Sequence, residues 1–165
     1  MISLRDVSKP DTELYDVWQN DSKLKGYLSR LSPNDSSVAY YDKSRVCWYI
    51  IVYDSRAIGA VWLEKDRYEA DTVILGIFIS SELDIGKGIG IDAIKEAIRV
   101  SIDRMPFKHV RLNVRKSNHR AICCYEKCGF KIHDEGSKVA QDGTLIEFYK
   151  MLMEIDERST TILID

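Results

Sequence analysis

The chain has 165 residues, with 24 Lys and Arg against 26 Asp and Glu for a formal net charge of −2. That length holds one domain with a real core and no second, and so balanced a charge without a basic run argues against a nucleic-acid surface. Glycine (9) and proline (3) are too scarce for a disordered or fibrous chain. No apolar run approaches the ~20 residues of a bilayer-crossing helix. Residues 1–6 have neither the apolar stretch nor the cleavage site of a signal peptide. A soluble cytoplasmic domain is the expectation.

Residues 2–6 read as a short strand. Over 11–31 the residues Leu14, Val17, Trp18, Leu24, Tyr27, Leu28 and Leu31 recur at three- and four-residue steps, which predicts helix in two pieces. Residues 33–37 are a loop by composition. Residues 46–53 and 57–63 are rich in β-branched and aromatic side chains, with Asp54-Ser55-Arg56 between them, and predict a hairpin. A third strand over 72–80 follows a charged turn. The period then changes: Ile91, Ile94, Ile98 and Ile102 line one face of a helix over 88–104. A strand over 110–114 leads into a second helix over 118–128, closed by Gly129 as a left-handed cap. Strands at 130–132 and 145–151 complete the chain, and the tail over 154–165 is polar until Ile162-Leu163-Ile164. Antiparallel strands followed by strand–helix–strand–helix–strand give an α/β or α+β single domain.

Cys123, Cys124 and Cys128 cluster while Cys47 is remote. Their C-C-x3-C spacing is not that of a zinc site, and His119 and His133 do not complete one. They read as small, reduced, buried residues, and no metal is expected.

The sharpest local signal is Gly86-Lys87-Gly88-Ile89-Gly90, between a predicted strand and a predicted helix. Glycines there let the backbone curl and aim several N–H groups at one point, at the positive end of a helix, which is an anion site. It is not a Walker A loop, because the lysine sits between glycines with no Ser or Thr after it. It is not a dinucleotide fingerprint either, since the spacing is G-x-G-x-G and Asn113 and Arg115 stand where an acid is needed. Taken alone it could be a flexible turn. Asn118 and Tyr125 add weight: seven residues apart, they share a helix face with ~10 Å between them along the axis, and Ala121 leaves that face low. A carboxamide can hold amide groups of an extended ligand, and a phenol can donate a proton.

Two motifs make the chain resemble the GNAT superfamily of acetyl-coenzyme A-dependent N-acetyltransferases. Leu75-Gly76-Ile77-Phe78-Ile79-Ser80 with Asp84-Ile85-Gly86-Lys87-Gly88-Ile89-Gly90 is similar to the family's strand, pyrophosphate loop and helix. Asn118-His119-Arg120-Ala121-Ile122 with Tyr125-Glu126-Lys127-Cys128-Gly129-Phe130 is similar to its N-x-x-A-x-x-x-Y-x-K-x-G-F signature. One departure is Ile85, where the family usually has Gln or Arg. The resemblance implies a single GNAT-like domain over 1–165 with its acetyl-coenzyme A-binding core at about 70–133. It also implies a mixed sheet of about six to seven strands flanked by about four helices.

The resemblance further implies roles. N–H groups of Gly86, Lys87, Gly88, Ile89 and Gly90 cradle the pyrophosphate. Backbone at Phe78, Ile79 and Ser80 pairs with the pantetheine arm, and Asn118 holds it. An amine attacks the thioester directly, and Tyr125 protonates the departing thiolate. The three clustered cysteines are then packing residues, not acyl carriers. Glu64, Asp66, Glu69 and Asp71 lie near the substrate side as solvated carboxylates or a base, and water is the other candidate. Ten of the 16 aromatics fall within residues 1–70, enough to build core and to line an amine pocket. The acceptor expected is a small-molecule primary amine, with no nucleic-acid or membrane partner, and a homodimer is left open. The alternatives are a peptide or protein N-terminal acetyltransferase, favoured next, and an inactive acyl-coenzyme A-binding sensor.

Overall fold

The β-branched and aromatic runs either side of Asp54 form a buried hairpin in the computed structural model, which describes residues 1–27, 30–80 and 84–155. Its strands are β2 (Val46–Tyr53) and β3 (Arg56–Lys65). Asp54 and Ser55, at φ 52° and 62°, make the two-residue turn whose twist matches that of the flanking strands. Around the hairpin assembles one seven-stranded sheet. β1 (Ile2–Asp6) lies outside β2, and β4 (Thr72–Ile79) pairs with β3. Beyond β4 come β5 (His109–Arg115), β7 (Leu145–Glu154) and, on the edge, β6 (Lys131–Val139). Every neighbouring pair is antiparallel except β4 with β5.

Side chains alternate across a strand, so the sheet sorts its apolar residues onto two faces. Tyr49, Ile51, Val61, Leu63, Val73 and Val110 join the first core, beneath α3 (Ile89–Arg104) and α4 (His119–Cys128). The buried stripe of α3 is Ile89, Ala93, Ile94, Ala97, Ile98 and Ser101. Ile91 and Ile102, expected in that stripe, are only partly buried on its flank, because the small Ala93 and Ala97 let the helix settle closest to the sheet. Trp48, Ile50, Trp62 and Phe78 face the other way, under α1 (Thr12–Gln19) and α2 (Ser22–Tyr27). There Tyr15 and Trp18 of α1 meet Trp48 and Phe78 edge-to-face at centroid distances of 5.0–5.2 Å. Such pairs contribute about 0.5–1.5 kcal/mol beyond their burial. The aromatics of the first 70 residues thus go mainly into core, with Tyr40 and Tyr68 exposed.

The helix expected over 11–31 is indeed two pieces, entered by a 3-10 turn at Lys9–Asp11; residues 28 and 29 lie outside the described ones. β6 is far longer than the expected 130–132. Its sequence shows no apolar alternation because an edge strand with both faces near solvent has no core to alternate against. The apolar end of the tail lies outside the described residues.

The feature that positions the site is the β4–β5 pair. Only Thr72, Val73 and Ile74 are in register with His109, Val110 and Arg111. Past that point the paired register ends, and the sheet forks. The closed end of the fork is tied by Asp66, just beyond β3, which accepts a hydrogen bond from Arg111.

Candidate active site

Strand pairing decides which backbone groups face the fork. In an antiparallel ladder the N–H and C=O of successive residues point to opposite sides. The Ser80 N–H donates to Ile58 O at 2.6 Å, toward β3, whereas Asp71 O accepts from His109 N at 3.0 Å, toward β5. Even-numbered residues of β4 therefore address β3 and odd-numbered ones address β5. Beyond Ile74, Ile77 and Ile79 aim their backbone groups into the fork. Of the three residues expected to pair with a pantetheine arm, only Ile79 is so placed. Phe78 turns its backbone to β3 and buries its ring in the second core. Ser80 sends both its N–H and its hydroxyl (2.8 Å) to Ile58 O. Ile77, absent from the expected set, also turns its backbone to the fork; its signal is parity, legible only once the register is known.

The glycine loop sits where α3 begins. Gly86 and Gly88 have φ of 87° and 77°, a left-handed conformation in which a side chain is strained. Gly88 caps α3, and its carbonyl accepts from Asp92 N at 3.1 Å. The N–H groups of the first turn, Ile89 and Gly90 among them, are left for an anion, with the helix dipole behind them. A Cβ built at Gly86 or Gly88 would meet nothing within 4 Å, so the loop stands open. Asp84, 1% exposed, anchors it: its Oδ1 accepts from Arg56 at 3.2 Å and lies 3.7 Å from Lys87 Nζ. That contact, with the Tyr53 ring 5.6 Å from the same Nζ, holds Lys87 on the hairpin side of the loop.

α4 lies alongside. A Cβ at Gly90 would sit 3.2 Å from Cys124 Sγ, so the first turn of α3 and the middle of α4 touch one residue from Tyr125. Tyr125 packs edge-to-face on Phe130 at 5.9 Å, and Gly129, at φ 107°, ends the helix between them. Burial, with Cys124 and Cys128 beside it, pushes the phenol above its ordinary value. Its hydroxyl has no hydrogen-bond partner among the described residues. Asn118 is the N-cap of α4 and not its first turn, and its Oδ1 accepts from Ala121 N at 3.2 Å. The carboxamide oxygen is thus engaged in capping; the amide NH2 remains a donor.

Cys47 is buried and Cys124 and Cys128 partly so, but Cys123 is exposed, contrary to expectation, because it faces away from α3. A hydrogen bond with Cys128 lowers the Cys124 thiol and raises that of Cys128. No group of three His, Cys, Asp or Glu among the described residues could hold a metal ion. No described helix is long and apolar enough to cross a membrane.

The acidic candidates are mostly engaged. Glu64 is buried, 2.8 Å from Arg30 Nη1, and accepts from Asn34 N at 3.0 Å. Burial pushes Asp66 up, but the Arg111 bond and the Glu69 and Tyr68 N–H groups outweigh it, leaving the carboxyl below its ordinary value. Glu69 accepts from the Thr72 hydroxyl at 3.2 Å, and Asp71 lies 3.9 Å from Lys108 Nζ.

Residues 2–131 match the acetyltransferase (GNAT) domain family. The chain belongs to that family, the N-acetyltransferases that draw on acetyl-coenzyme A. No curated protein matches it. Among solved structures it is similar to aminoglycoside acetyltransferase AAC(6')-Ib in complex with coenzyme A (18% identity, 100% of each chain covered, TM-score 0.74). It is also similar to spermidine N-acetyltransferase from Vibrio cholerae in complex with coenzyme A and spermine (18% identity, 99% and 98% covered, TM-score 0.74). A third is an acetyltransferase of the GNAT family from Streptococcus pneumoniae (18% identity, 94% and 100% covered, TM-score 0.73).

Proposed function

We propose that the chain transfers the acetyl group of acetyl-coenzyme A to a primary amine of a small molecule by direct attack. The observation that carries this reading is the juxtaposition of three features. Backbone groups of Ile77 and Ile79 face the open fork, the glycine loop opens at the start of α3, and Tyr125 stands on the helix that touches that start. The loop N–H groups at Gly86, Lys87, Gly88, Ile89 and Gly90 bind pyrophosphate. Ile77 and Ile79 extend the sheet to a pantetheine arm, and the Asn118 NH2 supports it. The amine lone pair attacks the thioester carbon; an N–C bond forms, the C–S bond breaks, and the amine proton passes to water. Tyr125 gives its proton to the departing sulfur. Its raised pKa keeps it protonated at neutral pH.

Small-molecule acceptors are supported by the similar structures, whose partners include kanamycin and spermine. The test is thiol release from acetyl-coenzyme A against alkyl amines, polyamines, amino sugars and short peptides. Turnover with free amines and none with peptides is expected. Peptide N-terminal turnover alone would reassign the acceptor, and coenzyme binding without turnover on any acceptor would make the chain a sensor.

A further inference from the structure

Among the described residues four buried side-chain polar atoms lack a directed hydrogen bond: Trp62 Nε1, Glu64 Oε1, Arg30 Nη1 and Asp84 Oδ2. Three of the four gather on one face of β3. Trp62 and Glu64 are alternate residues and so share that face. Arg30 Nη1 lies 2.8 Å from Glu64 Oε1, an ion pair whose atoms are not aligned for a hydrogen bond. The face is the one turned away from α3, α4 and the glycine loop, since Trp62 belongs to the second core.

Trp62 also reaches toward the fork. A Cβ at Gly76 of β4 would come within 2.1–2.6 Å of its Cε2, Cζ2 and Nε1 atoms. The indole therefore lies over Gly76, its cross-strand neighbour on β4, and β4 is the lip of the fork. A buried donor left unpaired costs about 1–3 kcal/mol, and a phenylalanine would cover Gly76 without that cost. Glu64 beside it holds a cation, and the guanidinium is the accessible partner, at 33% exposure against 8%.

We infer that Trp62 and Glu64 are specificity-determining residues for the acceptor, an inference that rests on the acetyl-transfer reading. Trp62 Nε1–H donates to a hydroxyl or carbonyl oxygen of the acceptor, and Glu64 Oε1 takes an ammonium in the place of the Arg30 guanidinium. An ammonium beside a carboxylate keeps its proton, so this nitrogen is an anchor and not the nucleophile. The acceptor class is an amine that carries a second ammonium and an oxygen. A fully protonated alkyl polyamine offers donors only and leaves the indole N–H unmet.

The experiment uses a matched pair, 1,3-diamino-2-propanol and 1,3-diaminopropane, with 2-aminoethanol as the monoamine. Binding is measured by calorimetry to the protein saturated with coenzyme A, and kcat and KM separately. The parent should bind the hydroxylated diamine about tenfold more tightly, the worth of one hydrogen bond. Trp62→Phe should erase that preference with the KM for acetyl-coenzyme A unchanged. Glu64→Gln should weaken both diamines more than 2-aminoethanol. No preference in the parent, or variants that lose melting temperature while all three ligands weaken equally, would overturn the inference and leave Trp62 and Glu64 as packing residues. Preference in binding without turnover would uphold it while the acetyl-transfer reading fails; turnover without preference would do the reverse.

Discussion

Tyr125 is partly buried against the first core, and its hydroxyl has no partner among the described residues, an arrangement suited to giving a proton. Phenylalanine keeps the ring against Phe130, so Tyr125→Phe should leave coenzyme affinity intact and lower kcat by about 100- to 10,000-fold. A fall below about threefold with a good acceptor would return the residue to packing. Because burial raises the phenol's pKa, the acid form persists through neutral and mildly alkaline pH. The profile of kcat/KM should therefore climb as the acceptor deprotonates, with no falling limb below about pH 10. A falling limb near pH 8 that vanished in Tyr125→Phe would show the phenol titrating there and contradict its raised pKa. Asn118 teaches the complementary lesson: its spacing from Tyr125 was legible in the sequence, but its place as a cap, which commits one of its two polar atoms, was not.

Among the elements, the glycine loop is the most exacting. At φ 77° Gly88 rejects a β-branched residue on conformational grounds alone, so Gly88→Val strains the loop as well as crowding an anion. Acetyl-coenzyme A binding should be lost in calorimetry, with a melting temperature a few degrees lower, since left-handed backbone costs a side chain roughly 1–2 kcal/mol. Binding equal to the parent's would place the coenzyme elsewhere. α4 presents its thiols to α3 or to solvent, so changing Cys123, Cys124 and Cys128 together to Ala should reduce stability and spare the rate. Initial-rate plots should intersect, and an acetyl group trapped on a cysteine after mixing with acetyl-coenzyme A alone would overturn direct attack. The loop, its helix and the Tyr125 helix could be read from the chain because each is a local pattern. The division of β4 into Phe78 and Ser80 facing β3, with Ile77 and Ile79 facing the fork, could not. Parity belongs to the pairing of distant segments, and one residue's shift in register reverses it. The length of β6 was hidden for a related reason: an edge strand needs no apolar pattern.

For the molecule as a whole, the closed end of the fork matters as much as the open one. Asp66, 7% exposed in its side chain, binds Arg111 across from β3's end to β5. Asp66→Asn should cost about 1–3 kcal/mol at neutral pH, as an unsatisfied buried partner does. The sign with pH follows from its lowered pKa. The contribution is present above the unfolded carboxyl's ordinary value and fades as pH falls through the lower folded one. Parent and variant melting curves should therefore converge in acid; a gap that stays constant down to pH 2 would show that charge is not its source. The fork that opens beyond this clamp leaves a sheet lacking one run of partners. Seen by amide hydrogen exchange, Ile77 and Ile79 are then strand residues whose N–H groups trade with solvent like those of a loop, while Val73, two pairs back, is protected. Acetyl-coenzyme A should slow exchange at these two amides more than at their even-numbered neighbours, so a ligand's arrival would be written into the protein as an alternation.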